Sequence, residues 1–552
     1  MRSWLRHGLA IAALAVIATV PLIGARGAFQ YSHEYFRAPV LQHLYAKQLM
    51  AEGFPVRWLP DLAGGYGYPT FVYYPQGIFL FGSGLKLALG FSDVMALAAA
   101  TWICLLVAGL AMYYAGRRLS GHVEGGVISC GVFLLAPWIA TEFIVRGDVS
   151  EGSALCAGAV TLAIALALAD EDRERPRLWL RVMGPVAFAA PLVLHPMGGV
   201  MAGTVAACVA IARCLDRPRA ERSWSGLGLA IVGGFTMCAW YLVPLISMQD
   251  LVHLDRTTEG YYKALNHVIE PMQLLSGPYG YGGSAPGPGD EMSFALGVAV
   301  VIAALIGLAG TRATRTAALL FVVVCLLMTR WFVFLWVEPS PLVKLQFSWR
   351  LLGLALLSAA TAASACGLYR LRTRRTVVGV LIVLIVLFQP GRYARHPRII
   401  SNAEAQRIVK QTASTLTAND ERFAGSNEFD PRGSRAMAPR GERSLISDVH
   451  GPLPYTAKGT ELRFSVSRDQ GADIRVAQYY FPGWEVTVDG HRLSSPEPTP
   501  EGTIRVNLPP GPPAAVSLRY SGAPHDRWLL SLAALTPAVV LLLSRRRPGR
   551  QA

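Results

Sequence analysis

Val94-Met95-Ala96-Leu97-Ala98-Ala99-Ala100-Thr101-Trp102-Ile103-Cys104-Leu105-Leu106-Val107-Ala108-Gly109-Leu110-Ala111-Met112-Tyr113-Tyr114-Ala115 carries no charge, and Arg117-Arg118 follows it. As a helix rising ~1.5 Å per residue it is long enough to cross the ~30 Å of a bilayer's hydrocarbon. Runs of similar character occupy 8–25, 122–141, 152–170, 182–196, 198–214, 226–246, 293–310, 316–336, 349–369, 376–389 and 528–544. Across all 552 residues 52% are hydrophobic and only 16% charged, against about 25% charged in soluble domains. The chain reads as a multi-pass membrane protein. A cytosolic enzyme, a secreted disulfide scaffold and a disordered tail are excluded as descriptions of the whole.

The net charge of +15 could suggest nucleic acid, but its placement argues otherwise. Arg117/Arg118, Arg173/Arg175/Arg177/Arg181, Arg213/Arg217/Arg219/Arg222, Arg312/Arg315, Arg370/Arg372/Arg374/Arg375 and Arg545/Arg546/Arg547 stand at every second junction between apolar runs. With the N-terminus inside, all of them fall in the cytoplasm, as the positive-inside rule requires. The expected fold is mainly α and polytopic, with about twelve transmembrane helices and both termini cytoplasmic in the plasma membrane. The run 76–91 then does not cross; its glycines and Lys86 suit a re-entrant or surface helix. Gly8–Ala25 is expected to be a retained anchor, because Gly24-Ala25-Arg26 is a poor signal-cleavage site. The eight cysteines lie in or at the ends of apolar runs without a CxxC, as small core hydrophobes do.

Three polar stretches are left outside: 26–75, 247–292 and 390–527. Residues 1–389 make the transmembrane domain with the first two as outer loops, and 528–552 are a last helix and basic tail. Within the third stretch Glu461–Ser467, Asp473–Tyr480, Trp484–Val488, Thr503–Leu508 and Ala515–Tyr520 alternate apolar and polar at strand period, and Asp489-Gly490 signals a tight hairpin turn. A small extracytoplasmic β-sandwich over about 456–522 is expected.

Chemistry concentrates in the first outer loop. Phe36, Val40, Leu44 and Leu49 share one helical face, which predicts a helix along the membrane surface. Glu34 sits at its start, where a carboxylate can act as general base or ligate a divalent metal beside His33; the bland alternative is a charge favoured by the helix dipole. Gly64-Gly65-Tyr66-Gly67-Tyr68-Pro69 offers close backbone approach and flat stacking faces for a sugar or lipid head group, or else an interfacial aromatic belt. Arg146-Gly147-Asp148-Val149-Ser150-Glu151 places charge at a membrane boundary, where it is often functional, although Asp148 and Glu151 also form a capping box. Arg350, in Gln346-Phe347-Ser348-Trp349-Arg350, can hold a lipid phosphate or snorkel. His195-Pro196 reads as structural. There is no Walker A, GxSxG, kinase set or clustered histidine site.

His33-Glu34-Tyr35-Phe36, Pro55-Val56-Arg57-Trp58-Leu59-Pro60-Asp61, the glycine–tyrosine run and Tyr73-Tyr74-Pro75 together resemble a bacterial membrane family. It carries the label 6-pyruvoyl-tetrahydropterin synthase-related membrane domain and is related to YfhO-like proteins and the GT-C glycosyltransferase superfamily. Arg146 to Glu151 and Gln346 to Arg350 are similar to later signatures, and Tyr480-Phe481-Pro482-Gly483-Trp484 to the YfhO-like C-terminal domain. The resemblance implies a GT-C-like fold and transfer of a sugar from a polyprenyl-phosphate carrier to a cell-envelope glycan or lipid acceptor at the outer face. Glu34 matches the catalytic acid; Arg57, Tyr66, Tyr68, Arg146 and Arg350 become substrate-binding candidates. His33, Glu34, Asp148 and Glu151 are the set for a divalent metal such as Mg or Mn, a cofactor the residues leave open. Relatives often show His-Asp or an Asp pair where this chain has His33-Glu34. The expected partners are the lipid-linked sugar, its acceptor and membrane lipids, with no nucleic acid. The alternative is a non-catalytic protein that transports or presents lipid-linked glycans.

The topology has a direct test. Cysteines introduced at Ser284 and Ser467 should both react with an impermeant thiol reagent in intact cells or spheroplasts; protection of either in correctly inserted protein would overturn the map.

Overall fold

The computed structural model describes residues 32–34, 37–172, 176–218, 222, 224–278, 280–387, 402–415, 428–435, 440, 444–493 and 495–544. The expected anchor 8–25 and the tail Arg545–Arg547 lie outside them.

The helices run in chain order: α1 Arg37–Glu52, α2 Gly77–Leu89, α3 Asp93–Ser120, α4 Val123–Leu135, α5 Val149–Ala169, α6 Leu178–Leu194, α7 Pro196–Leu215, α8 Trp224–Ser247, α9 Val298–Ile306, α10 Arg312–Leu327, α11 Leu352–Ala363, α12 Leu371–Leu387, α13 Asn402–Thr415 and α14 Asp526–Ser544. Among the described residues six helical segments are long and apolar enough to cross a membrane, or seven if the bent pair 123–135 and 137–146 is one span. The count of twelve is therefore not confirmed. Several expected spans are shorter than their apolar runs. The run 293–310 becomes helical only at Val298, because Gly297 stands at φ +92° outside the helical region. The run 316–336 leaves the α-helix at Leu327 and continues as a 3₁₀ segment, Arg330–Trp336, with Ile269 bridged to Thr329. At 13 residues α2 is too short to span the hydrocarbon.

The helix expected on the membrane surface is α1, and it is buried on more than one side: Val40, Leu41, Leu44 and Tyr45 are at most 3% exposed. Gln42 donates to Ser83 at 2.9 Å, and Tyr45 to Gln76 at 3.2 Å, tying α1 to α2. Polar partners at these positions show why a face argument fails: the helix has neighbours where one apolar stripe predicts water.

The C-terminal region is β. Strands β1 Ile446–Asp448, β2 Gly451–Pro452, β3 Tyr455–Lys458, β4 Glu461–Arg468, β5 Ala472–Tyr479, β6 Trp484–Val488, β7 His491–Arg492, β8 Glu497–Pro498, β9 Thr503–Leu508 and β10 Gly511–Tyr520 form two five-stranded sheets. Their orders are β2-β1-β5-β9-β8 and β3-β4-β10-β6-β7, with antiparallel pairing throughout. Alternate residues of β4, β5, β6, β9 and β10 enter one core, among them Phe464, Ile474, Trp484, Val506 and Val516. Asp489 and Gly490 both take positive φ (50° and 82°) between the paired Val488 and His491, the geometry of a type I′ hairpin.

That core is shared with the first loop. Trp58 is 1% exposed and packs against Phe481, Trp484 and Tyr520 at centroid distances of 6.0, 5.6 and 5.4 Å. Its Nε1 donates to Gln478 Oε1 at 2.9 Å. Beneath it Arg57 makes a bidentate pair with Asp526 at the start of α14 (3.1 and 2.6 Å) and donates to the Trp240 carbonyl of α8 at 2.5 Å. Ser284 is buried, with Oγ 2.9 Å from His267 Nδ1, so the exposed Glu259 is the better thiol position in that loop.

Removing one partner of a buried ion pair leaves the other charge without compensation, which costs about 3–5 kcal/mol. Asp526→Ala should therefore lower the thermal midpoint of the purified protein strongly. The double change Arg57→Met with Asp526→Leu should cost less than either single change. A midpoint unmoved by Asp526→Ala would refute the pair as a structural tie.

Candidate functional site

A break in the fourth helical segment builds the site. α4 stops at Leu135, Ala136 turns extended (ψ 138°), and the chain resumes at Pro137 with a bend of 42° before one π-helical stretch, Thr141–Arg146. Proline at the first position of the restarted helix needs no N–H partner. The π stretch ends at Gly147, with φ +66°. There the chain pairs with the first loop: His33 N donates to Val145 O at 2.9 Å and Glu34 N to Arg146 O at 3.0 Å. A Cβ on Gly147 would lie 2.5 Å from Ser32 Oγ and 3.6 Å from Glu34 Cβ, so this close approach requires glycine.

Arg146 is 5% exposed and gathers three carboxylates. It donates to Glu142, to Asp148 at 3.2 Å and to Glu151 at 2.8 Å, and its guanidinium lies 4.6 Å from the Trp349 ring centroid. Asp148 also caps α5, accepting from Glu151 N at 2.9 Å. The Arg146–Glu151 motif thus forms an N-cap, through Asp148, and a buried charge cluster around Arg146. Arg350 approaches the cluster from another side, with Nε 3.5 Å from Glu151 Oε2. Its Nη1 donates to Leu345 O at 3.1 Å and Gln346 Oε1 at 2.6 Å.

In front of these groups lies a cavity of about 500 Å³. Its polar wall holds His33, Glu34, Asp148, Arg37, Arg146 and Arg350, and Tyr74, Tyr262, Phe347 and Trp349 give it aromatic faces. Glu34 is 3.5 Å from Arg37, about a quarter of its side chain is exposed, and its Oε2 has no hydrogen-bond partner among the described residues. Burial pushes the Glu34 carboxyl above the usual range, and Arg37 opposes the rise. Burial likewise lowers His33, whose Nε2 lies 3.2 and 3.1 Å from the carbonyls of Tyr281 and Gly282. Burial pushes Asp148 up, but Arg146, His195, the Glu151 N–H and Arg350 together outweigh it and hold the carboxyl below the ordinary carboxylate range.

Of the residues singled out in the sequence, His33, Glu34, Arg146, Asp148 and Arg350 meet at this cavity, with Glu151 directly behind them. Arg57, Tyr66 and Tyr68 do not. Arg57 is consumed by Asp526. Tyr66 packs on Tyr479, with rings 5.6 Å apart, and its carbonyl accepts from Tyr479 N at 2.6 Å. Tyr68 is 7% exposed, and its hydroxyl accepts from Phe429 N at 3.1 Å. The glycines of that run admit the β-sheets rather than a sugar: a Cβ on Gly67 would sit 2.3 Å from both Gln478 Oε1 and Trp58 Nε1. Sequence reasoning missed Glu142, Arg37 and Glu428, and treated His195 as structural. Glu142 and Arg146 do carry a signal, an acid and a base four residues apart at the end of an apolar run. His195 lines the cavity and also caps α7, its Nδ1 accepting from Gly198 N at 3.1 Å.

The expected metal set does not fit. Among the described residues, carboxylate oxygens within 4.8 Å of one another belong to Glu142, Asp148 and Glu151, without His33 or Glu34. All three are bonded to Arg146, so a dication there would have to displace a buried guanidinium.

The family model for 6-pyruvoyl-tetrahydropterin synthase related domain membrane proteins matches residues 71–394, more than half of the chain. The chain belongs to this family. This family member is a membrane protein. A comparison with curated protein sequences finds no match. Among solved structures it is similar to the arabinofuranosyltransferase AftD from Mycobacteria, at 15% identity and a TM-score of 0.44, over 70% of this chain and 27% of that one. It is also similar to the archaeal oligosaccharyltransferase AglB from Archaeoglobus fulgidus, solved with an inhibitory peptide and a dolichol-phosphate. There the identity is 12% and the TM-score 0.39, over 75% of this chain and 56% of that one. The family member thus spans about a quarter of the first neighbour and just over half of the second. At that distance neither likeness assigns it a reaction.

The opposition of burial and Arg37 at Glu34 can be read without an enzymatic assay. Dicyclohexylcarbodiimide modifies protonated carboxyls in apolar surroundings. Labelling of Glu34, located by peptide mass spectrometry with Glu34→Gln as background, should fall as pH rises through its elevated pKa. Arg37→Met should carry labelling to higher pH, because the cation that favours the ionised form is gone. An unchanged profile would refute the coupling.

Proposed function

We propose that this family member is a glycosyltransferase of the GT-C type. It takes a sugar from a polyprenyl-phosphate carrier and passes it to a hydroxyl of a cell-envelope acceptor at the outer face of the plasma membrane. The observation that carries this reading is the placement of Glu34 Oε2, without a hydrogen-bond partner among the described residues, and two guanidiniums, Arg146 and Arg350, on one cavity at the ends of apolar helices. The twelve-span topology with cytoplasmic termini belongs to the same reading.

In this mechanism the acceptor hydroxyl gives its proton to Glu34 Oε2, and its oxygen attacks the anomeric carbon. The bond from that carbon to the carrier phosphate breaks, and the electron pair leaves with the phosphate. Arg350 is the better group to meet that charge. Its Nη1 is engaged by Leu345 and Gln346, whereas Arg146 is held by three carboxylates and chiefly fixes the shape of the wall. Preorganised donors at the point where charge develops are the largest single contribution in such sites. A lipid-borne donor needs no nucleotide pocket, in accord with the absence of a phosphate loop from the sequence. The engagement of Arg146 by Glu142, Asp148 and Glu151 also favours a second reading, a non-catalytic protein that binds and presents the carrier.

The two readings separate in one set of measurements on purified protein. Glu34→Gln should abolish sugar transfer and leave carrier binding nearly intact, since a base contributes mainly in the transition state. Arg350→Ala should weaken carrier binding by the ~1.5–3 kcal/mol of a charge-assisted contact, roughly tenfold to a hundredfold. Arg350→Lys should recover part of it. Unchanged carrier binding in Arg350→Ala would refute its phosphate role, and full transfer by Glu34→Gln would refute the base.

A further inference from the structure

The segment Glu428–Arg432 belongs to neither β-sheet, yet it is fastened to the cavity mouth from several sides. Val252 and Pro431 form a bridge, and Arg432 N donates to Leu251 O at 2.8 Å. Arg432 pairs with Asp255 at 2.9 Å and Asp430 with Arg256 at 3.3 Å. Phe429 stacks on Tyr73, with ring centroids 5.3 Å apart and planes at 18°. The outcome of this fastening is that Glu428 and Phe429 become part of the cavity wall. Sheet formation does not account for it.

Arg37 stands between two carboxylates there, 3.5 Å from Glu34 and 3.7 Å from Glu428. Charge-assisted hydrogen bonds of this kind close to ~2.7–2.9 Å, so attraction holds the three groups together without direct hydrogen bonds between them. Glu34 Oε2 has no partner among the described residues. A ligand that fits this gap must donate to carboxylates and accept from a guanidinium, which a hydroxyl does. An ammonium would face Arg37, whose carboxylate neighbours hold it protonated even though burial opposes its charge. A carboxylate or phosphate would face both Glu34 and Glu428. Tyr74, Tyr262 and Phe429 supply flat apolar faces on the same wall, suited to the C–H side of a sugar ring. The volume of about 500 Å³ is that of a small-molecule site.

We propose that Glu428, with Arg37 and Glu34, forms a subsite for an uncharged polyol, and that this is where the hydroxyl-bearing acceptor sits. The assignment of that polyol as acceptor rests on the glycosyltransferase reading; the subsite itself does not. The carrier phosphate then lies toward Arg350, and the extramembrane region contributes to substrate choice through one carboxylate.

The test uses the full-length protein in nanodiscs. Saturation-transfer NMR would measure binding of methyl glucoside, methyl glucosaminide in its ammonium form, and methyl glucuronide as carboxylate, beside binding of undecaprenyl phosphate. The neutral glycoside should bind best. Glu428→Ala should weaken it about tenfold, the worth of one hydrogen bond to a charged group, and leave undecaprenyl phosphate within about twofold. Glu428→Gln should retain part of the binding, because its amide oxygen still accepts. Preference for either charged glycoside, no glycoside binding to the unaltered protein, or undiminished binding in Glu428→Ala would each overturn the proposal. If Glu428→Ala loses both ligands, Glu428→Gln becomes the deciding variant, and its full retention of both would overturn the proposal. Should Glu34→Gln keep full transfer while Glu428→Ala still loses the glycoside, the base assignment falls and the subsite stands.

Discussion

A guanidinium buried among three carboxylates organises the cavity end of this molecule. Arg146 donates to Glu142, Asp148 and Glu151, and removing the guanidinium would leave three clustered carboxylates without their shared cation in an apolar surround. The constraint reaches back into the chain. Glu142 and Arg146 meet because they are on one short π stretch, and that stretch exists because α4 breaks before Pro137. It also reaches forward, since the Arg146 carbonyl receives Glu34 N and so sets where the candidate base stands.

A second set of buried charges couples the β-sheets to this end. Arg57 joins the first loop to α14 through Asp526 and to α8 through the Trp240 carbonyl. Asp93, 1% exposed at the start of α3, accepts from His43 Nδ1 at 2.9 Å, Lys86 at 2.5 Å and Gln406 at 2.6 Å, and so draws α1, α2 and α13 together. Trp58 then fills the core of the sheets. The first loop is thus a shared wall, with one side facing the β core and the other the cavity. Its glycine–tyrosine run is spent on the first side, and Glu34 serves the second.

The strands were legible in the sequence because period-two alternation is local: Trp484–Val488 and Thr503–Leu508 appear with the expected bounds, and Asp489-Gly490 turns as its composition predicts. Membrane character was legible from composition, but span number was not. Apolarity continues past the ends of α-helices, into Ser293–Gly297 and Arg330–Trp336, where backbone geometry rather than hydropathy sets the limit. Glu34, Arg146, Asp148 and Arg350, which line one cavity, stood out in the sequence because charge next to an apolar run is conspicuous. Arg57, Tyr66 and Tyr68 were misassigned because exposure cannot be read from residue type: the same tyrosines serve a ligand or a neighbouring sheet. Glu428 gave no signal, since only tertiary contacts bring it to Arg37.

The account's central claim is that the cavity receives an anionic lipid head beside Arg350 and an acceptor beside Glu34. The most direct measurement is an experimental structure of the protein in nanodiscs with undecaprenyl phosphate. The account predicts phosphate density within hydrogen-bonding distance of the Arg350 guanidinium, with Glu34 across the same cavity and the Arg146 cluster intact. Phosphate bound away from the cavity, or Arg350 turned into lipid with Glu34 in a separate compartment, would contradict it.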